Sequence, residues 1–198
     1  MKKKFIVAIT GASGSIYGLR LISALIKFPV DLFVLISNSG RQVTAHETDF
    51  KSGPIAGYLE KAGEVFHEQA ILTEVDPSDF FAPIASGSFQ HTGMVIAPCS
   101  MNTLAAISSG ITDNLIHRAA DVCLKEKRTL VLLPRETPFS LIHLKNMTRA
   151  AEAGAIIMPP SPGFYTRPAT IENLVDSMVA RALDHLHLNH DLSPRWGS

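Results

Sequence analysis

The sequence predicts an α/β protein with three layers, in which helices cover both faces of a doubly wound, mostly parallel β-sheet. Three observations predict this class. Short apolar runs recur along the 198 residues, helical segments separate them, and polar loops follow them. The runs are continuous rather than alternating, which is typical of parallel strands that are buried on both faces. Strands that alternate with helices favour parallel pairing through crossover connections.

The first apolar run and the turn after it organise the chain. Residues 5–9 predict a buried strand, and a helix is predicted over 16–27 with Ser13 or Ser15 as its N-cap. Two glycines in the turn allow positive φ and a close approach of a ligand to the backbone. The helix N-terminus would offer free N–H groups to a phosphate, although the same residues fit a tight turn without a ligand. The glycine spacing matches neither the dinucleotide-binding nor the ATP-binding motif.

The remaining elements continue the alternation. Further strands are predicted at residues 31–36, 94–97, 129–133 and 155–158, with a short strand at 70–72. Helices are predicted at residues 42–48, 58–66, 113–127, 140–153 and 169–188, and one more ends near residue 109. Because no repeat or domain boundary is visible, residues 1–198 are predicted to form a single domain.

Composition excludes several classes of function. Acidic and basic residues number 18 each, so bulk charge does not indicate binding to nucleic acid or to an anionic membrane. No apolar run approaches the roughly 18 residues that a membrane span needs, and the basic residues 2–4 do not begin a signal peptide. Cys99 and Cys123 match no metal-ligand spacing and form no disulfide framework, which predicts a reducing, cytoplasmic location.

The loops at the strand ends are the candidate binding residues. In a doubly wound sheet, ligands bind beyond the carboxyl ends of the strands, so these loops are expected to converge on one crevice. They contain Gly11, Ala12, Ser13, Ser37, Ser100, Met101, Asn102, Thr103, Arg135, Glu136 and the segment 159–165.

Three cations elsewhere are candidates for anion binding. Arg118 and Lys125 are seven residues apart on one predicted helix and therefore lie on one face. That face is either solvated, with Asp121 as a pairing partner, or holds a phosphate. Arg181 borders the apolar stripe of the last helix and either extends to solvent or holds an anion. Tyr165 precedes this helix and is either a packed aromatic or a hydroxyl donor to the same anion.

Two carboxylates have two interpretations each. Glu136 lies between two prolines at a strand end and is either an acid or base, or an ion-pair partner of Arg135 or Lys125. Glu47 is either a second reactive carboxylate or an exposed helix residue. The histidines near the C-terminus have no acidic partner or spacing that would indicate zinc. They are predicted to be surface or interface residues.

Six motifs together resemble those of the UbiX-type flavin prenyltransferases, in the order of that family and along nearly the whole chain. They are TGASG at residues 10–14, PCSMNT at 98–103, NLIHRAADV at 114–122, LPRETPFS at 133–140, PGFY at 162–165 and PRWG at 194–197. The resemblance implies a Rossmann-like or flavodoxin-like fold that assembles as a homododecamer, with the tail at about 189–198 at a subunit interface.

The resemblance also implies a reaction. The enzyme would join the dimethylallyl group of dimethylallyl monophosphate to N5 and C6 of reduced FMN, without a metal. The product, prenylated FMN, would serve UbiD-type decarboxylases, and in many bacteria this supports ubiquinone biosynthesis.

The family's residue roles transfer to matching positions of this chain. FMN would be held by Gly11, Ala12, Ser13, Ser37, Ser100, Met101, Asn102, Thr103 and Arg135. Dimethylallyl phosphate would be held by Tyr165, Arg181, Arg118 and Lys125, and Trp196 would close over the prenyl group. The implied catalytic residues are Glu136, Lys125, Ser13 and Glu47. The alternatives are an FMN-dependent cysteine decarboxylase of related fold, which would need a histidine beside the flavin, and a non-catalytic FMN carrier.

Overall fold

The computed structural model describes residues 2–195 and Gly197, and its strands form one sheet. The strands are β1 (Lys3–Ile9), β2 (Val30–Ile36), β3 (Ile71–Glu74), β4 (Gly93–Cys99), β5 (Thr129–Pro134) and β6 (Ile156–Ile157). Their spatial order is β3-β2-β1-β4-β5-β6, and every neighbouring pair is parallel. The order reverses between β1 and β4, which is where such sheets open a crevice.

Helices cover both faces of the sheet, as predicted. They are α1 (Ser15–Leu25), α2 (Asn38–Glu47), α3 (Ile55–Lys61), α4 (Met101–Ser108), α5 (Leu115–Lys125), α6 (Leu141–Glu152) and α7 (Ile171–His185), with a 3₁₀ turn at Pro83–Ala85. Helices α1, α3 and α7 pack on one face, and α4, α5 and α6 pack on the other. Within the described residues, no helix has the length and apolar character needed to cross a bilayer.

The two faces explain why the first apolar run is continuous. Phe5, Val7 and Ile9 point into the core beneath α1 and α7. Ile6 and Ala8 point into the opposite core, beneath α4 and α5. Since successive side chains of a strand point to opposite faces, a strand with helices on both sides has no polar face.

The start of α1 differs from the prediction. Gly14 is the N-cap, with φ of 100°, and it makes no side-chain capping bond; neither Ser13 nor Ser15 caps the helix. Instead, Glu47 at the end of α2 accepts the N–H groups of Gly14 and Ser15 at 2.9 and 3.1 Å. A glycine suits this position because left-handed backbone carries no steric penalty there.

Other differences fall near element ends and in the irregular middle region. The helix predicted over 58–66 is α3, which lies earlier, and the short strand predicted over 70–72 is the edge strand β3. Helix α5 begins after Asn114, whose side chain accepts the N–H of His117 at 3.0 Å. Local patterns rarely define helix ends to within two residues, since the last turns are stabilised by contacts that vary.

Helix α1 lies directly on the sheet at Gly18. A Cβ atom there would lie 2.2 Å from the carbonyl oxygen of Ala97 and 2.7 Å from Cγ1 of Ile9. The missing side chain therefore allows the helix backbone to approach the central strands, which fixes the position of the turn before α1.

Gly18→Ala is expected to lower the free energy of unfolding by about 1–3 kcal/mol, because the methyl group meets buried backbone that cannot move aside. Gly57→Ala in α3 is the matched control, since nothing lies within 4 Å of its added Cβ. It should raise stability by up to about 1 kcal/mol through helix propensity. Urea denaturation measures both; equal effects of the two substitutions would contradict the close packing of α1.

Candidate active site

The Thr10 side chain joins the loops after β1 and β4. Its hydroxyl donates to the carbonyl oxygen of Pro98 at 2.9 Å and accepts the N–H of Ser100 at 2.8 Å. The Thr10 N–H also donates to Pro98, at 3.2 Å. Thr10 is only 1% exposed, so these bonds satisfy groups that water does not reach. They fix the two loops at the point where the strand order reverses.

Backbone hydrogen bonds extend this arrangement to the neighbouring strands. The Ser37 N–H donates to the carbonyl oxygen of Ile9 at 3.0 Å, and the Arg135 N–H donates to that of Cys99 at 3.2 Å. The loops predicted to converge therefore meet along one edge of the sheet. In the spatial order of β2, β1, β4 and β5, this row contains Ser37, Thr10, Ser100 and Arg135.

Two helices begin at this row, each with a serine as its N-cap. The Ser37 hydroxyl accepts the N–H of Gly40 at 3.0 Å, at the start of α2. The Ser100 hydroxyl accepts the N–H of Thr103 at 3.2 Å, at the start of α4. Met101 and Asn102 form the first turn of α4 and are, respectively, half-buried and exposed at its N-terminus. Helix N-termini carry partial positive charge, so the row suits an anionic ligand.

The turn after β1 packs closely against α2. A Cβ atom at Gly11 would lie 2.3 Å from the hydroxyl oxygen of Ser39, so a larger residue would displace the turn. Ala12 is buried and Ser13 is exposed. Of these three residues, Ser13 is therefore the one whose side chain solvent reaches most freely.

The N-terminus of α1 already holds a carboxylate of the protein. Partial burial of Glu47 raises its pKa, but hydrogen bonds from the Ser13 side chain and from the backbone of Gly14 and Ser15 outweigh this effect, and the pKa lies below its ordinary value. The prediction that this helix offers free N–H groups to a phosphate is therefore wrong, since two of them are bonded to Glu47.

Arg135 has an unsatisfied donor at the row. Its Nε atom is buried and has no hydrogen-bond partner among the described residues. Leaving a buried donor unpaired costs free energy, so this atom is suited to an accepting group of a ligand. The adjacent Glu136 is half-buried and accepts the N–H of Thr137 at 2.9 Å. Within the described part of the chain, Glu136 forms no ion pair with Arg135 or Lys125.

A pocket of about 450 Å³ lies beyond β6 and contains both Tyr165 and Arg181. Ile157 and Met158, at the end of the strand, are among the residues that line it. The Arg181 guanidinium donates to Asp184 at 2.7 Å. Since β6 pairs with β5, this pocket lies beside the strand that directly precedes Arg135.

The structure does not bring Arg118 and Lys125 to this pocket within one subunit. Both lie on α5, which covers the face of the sheet opposite α7 and Arg181. Arg118 donates to the carbonyl oxygen of Ala85 at 3.0 Å and to Asp121 at 2.8 Å, which is the pairing considered from the sequence. Lys125 pairs with Glu126.

Sequence reasoning missed two features of the site. The TGASG motif contains Thr10 but assigns it no role, although a threonine between a buried strand and a glycine is a recognisable signal. His190 does have an acidic partner, because its Nε2 lies 3.2 Å from Oδ1 of Asp184.

No group of three or more potential metal ligands is found among the described residues. Trp196 lies outside the described residues, so its predicted role stays a prediction.

Similar proteins place the chain in a family. A family model described as Flavoprotein matches residues 1–183. The flavin prenyltransferase UbiX of Pseudomonas aeruginosa is 45% identical over 200 aligned residues, which cover 98% of this chain and 94% of the relative. The chain belongs to the UbiX-type flavin prenyltransferase family. The resemblance inferred from the six motifs is thereby confirmed.

Solved structures of the flavin prenyltransferase family confirm the α/β fold. AnUbiX (PadA1), in complex with FMN and dimethylallyl pyrophosphate, superposes with a TM-score of 0.90 at 40% identity, covering 100% of this chain and 99% of that chain. A dodecameric FMN-dependent Ubix-like decarboxylase from Escherichia coli O157:H7 superposes with a TM-score of 0.88 at 40% identity, covering 98% of this chain and 100% of that chain. The peptidyl-cysteine decarboxylase EpiD, at 19% identity and a TM-score of 0.59, shares the fold alone.

Thr10→Val is expected to lower the free energy of unfolding by about 1–3 kcal/mol. Valine has nearly the volume of threonine, but it leaves the Ser100 N–H without its acceptor and the Pro98 carbonyl oxygen without one of its donors. Thr10→Ser keeps the hydroxyl and should lose less. Urea denaturation of both variants separates the hydrogen bonds from methyl packing. A larger loss for the serine variant would contradict the role given to the hydroxyl.

Proposed function

We propose that the chain is a flavin prenyltransferase that joins the dimethylallyl group of dimethylallyl monophosphate to N5 and C6 of reduced FMN. One observation supports this most directly. The row ends after β5 at Arg135, whose buried Nε has no partner in the described part of the chain, and the neighbouring strand β6 leads to a pocket that contains Tyr165 and Arg181. A two-substrate reaction needs two such adjacent sites. The similar AnUbiX structure contains FMN together with dimethylallyl pyrophosphate.

The row fits a flavin phosphate and ring. The N-termini of α2 and α4 and the Arg135 guanidinium supply hydrogen-bond donors. FMN would be held by Gly11, Ala12, Ser13, Ser37, Ser100, Met101, Asn102, Thr103 and Arg135. Reduced FMN supplies electron-rich ring atoms to which the allyl carbon can bond.

The pocket beyond β6 fits the prenyl phosphate. Breaking the allyl–oxygen bond places negative charge on the phosphate, and fixed cations and hydroxyls stabilise that charge. Tyr165 and Arg181 are the residues of this pocket that would do so. Arg118 and Lys125 lie on the opposite face of the sheet and would have to come from a neighbouring subunit. Trp196 is proposed to cover the prenyl group.

The two carboxylates are suited to different roles. Glu47 is held in its charged form by hydrogen bonds from Ser13 and the start of α1, so it is poorly suited to donate a proton. Its charge would instead orient the Ser13 hydroxyl near the reacting flavin. We assign proton transfer at the leaving phosphate to Glu136, because a monophosphate leaves slowly unless it is protonated or tightly paired.

We also propose a homododecamer located in the cytoplasm. Phe81 is fully exposed, and Leu141 and Ile142 are exposed on α6, as expected of surfaces that other subunits cover. The similar Escherichia coli protein is dodecameric. Cys99 and Cys123 are buried free thiols, which suits a reducing compartment. Light scattering tests the assembly, and fractionation of the host cell tests the location.

Delivery of prenylated FMN to a UbiD-type decarboxylase, in ubiquinone biosynthesis or another pathway, follows from the family resemblance. It is tested by whether the protein's product activates such a decarboxylase. A decarboxylase that stays inactive with the product would contradict this part of the proposal.

The test of the activity is anaerobic incubation of the protein with reduced FMN and dimethylallyl monophosphate, followed by mass and absorption spectra of the released flavin. Gain of one five-carbon prenyl unit is expected, and none without the phosphate ester. Parallel reactions with the diphosphate define the preferred donor. Bound but unmodified FMN with both donors would contradict the proposal and favour a cysteine decarboxylase or an FMN carrier.

Glu136→Gln should lower kcat about 100-fold or more, because an amide cannot transfer the proton, while FMN affinity changes less than about threefold. Glu152→Gln, on an exposed residue at the end of α6, is the matched control. Anaerobic turnover and FMN titration measure the two quantities. Full activity of Glu136→Gln would remove this residue from the mechanism.

Arg181→Ala should raise KM for dimethylallyl monophosphate by about tenfold to a hundredfold, as expected for loss of a charged hydrogen bond, with little change in FMN affinity. Arg149→Ala, at an exposed position of α6, controls for loss of charge. Equal weakening of both ligands by Arg181→Ala would indicate a folding or assembly defect and would contradict the assignment.

A further inference from the structure

Asp184, in the last turn of α7, joins three donors. Its Oδ2 atom accepts a hydrogen bond from Arg181 at 2.7 Å. Its Oδ1 atom accepts one from Arg195 at 2.9 Å and lies 3.2 Å from Nε2 of His190. One carboxylate thus connects the cation of the pocket to two residues of the chain segment that follows the helix.

The position of Asp184 in the helix is unfavourable on its own. The C-terminal end of a helix carries partial negative charge, so a carboxylate in the last turn is destabilised. Partial burial also raises the pKa of Asp184, but Arg195 and His190 outweigh burial, and the pKa lies below its ordinary value. The charged carboxylate therefore depends on the segment after the helix.

That segment folds back on α7 around His190, whose side chain is only 5% exposed. The N–H of Leu192 donates to Nδ1 of His190 at 3.3 Å. Because Nδ1 accepts this bond, Nε2 carries the proton and donates it to Asp184. Leu188 is buried, and its N–H donates to the Leu183 carbonyl oxygen at 3.1 Å. Residues 187–195, here called the tail segment, are consequently docked on the helix through both apolar and polar contacts.

Arg181 has donors beyond the one that it directs to Asp184. The charge of Asp184 is also shared, because its Oδ2 atom faces Arg181 while its Oδ1 atom faces Arg195 and His190. Arg181 donates one N–H to Asp184, and a guanidinium has five N–H donors in a rigid planar group. Holding one side of this group fixes the direction of the others, and Arg181 lines the pocket beyond β6.

We propose that Asp184 is a positioning residue that orients Arg181 toward the prenyl phosphate and couples this cation to the tail segment. The identity of the phosphate rests on the proposed function. Ordering of the tail segment and binding of the phosphate then favour each other, because both require the same arrangement of Asp184 and Arg181.

The test compares Asp184→Asn with Asp191→Asn, which removes an exposed carboxylate from the tail segment itself. Asp184→Asn should raise KM for dimethylallyl monophosphate about tenfold, with kcat within about threefold of wild type and FMN affinity unchanged. Hydrogen exchange of the tail-segment amides should accelerate in this variant and slow in the wild type when the phosphate ester is added. Asp191→Asn should match the wild type in every measurement.

His190→Ala provides a second variant that does not alter Arg181 or its partner. It should also raise KM for the phosphate ester and accelerate exchange in the tail segment. A tail segment that loosens in either variant without a change in KM would overturn the coupling, since the contacts would then be only structural. If the wild type does not prenylate FMN, the proposed function fails, and slowed exchange on adding dimethylallyl monophosphate still decides the coupling.

Discussion

The site depends on a buried hydroxyl between two strands. Thr10 satisfies the Pro98 carbonyl and the Ser100 N–H at the point where the strand order reverses. At this point the loops after β1 and β4 leave toward opposite faces, and the bridge continues the pairing of the two strands into these loops. The serine-capped start of α4 and, through the backbone bond to Cys99, the position of Arg135 both follow from that bridge.

The protein distributes anions and cations around this edge unequally. The start of α1 is neutralised by Glu47 from the same chain, and the starts of α2 and α4 are capped by neutral serines. Among the described residues of one subunit, the positive groups at this edge include the starts of α2 and α4, Arg135 and Arg181. A phosphate is directed away from the glycine turn, although the glycine turn is the most visible sequence feature.

The placement of cations on both faces of the sheet relates the chemistry to assembly. A β-sheet with a helical layer on each side is too thick for α5 and α7 to share a ligand. A site that uses Arg118 and Lys125 together with Arg181 consequently needs more than one copy of the chain. Exposed Leu141 and Ile142 on α6 are consistent with such contacts.

Short stretches of the sequence predict the parallel sheet, the succession of strands and helices along the chain, and the residues at the carboxyl ends of the strands, because burial on both faces and turn composition are local properties. Its motifs also identified the family. Which groups meet becomes visible in the folded chain: Glu47 reaches Gly14 across 33 residues, and Asp184 contacts the tail segment at His190 and Arg195. Local patterns could not show this, since capping and ion pairing depend on distances in space, and many residues of similar type compete for each partner.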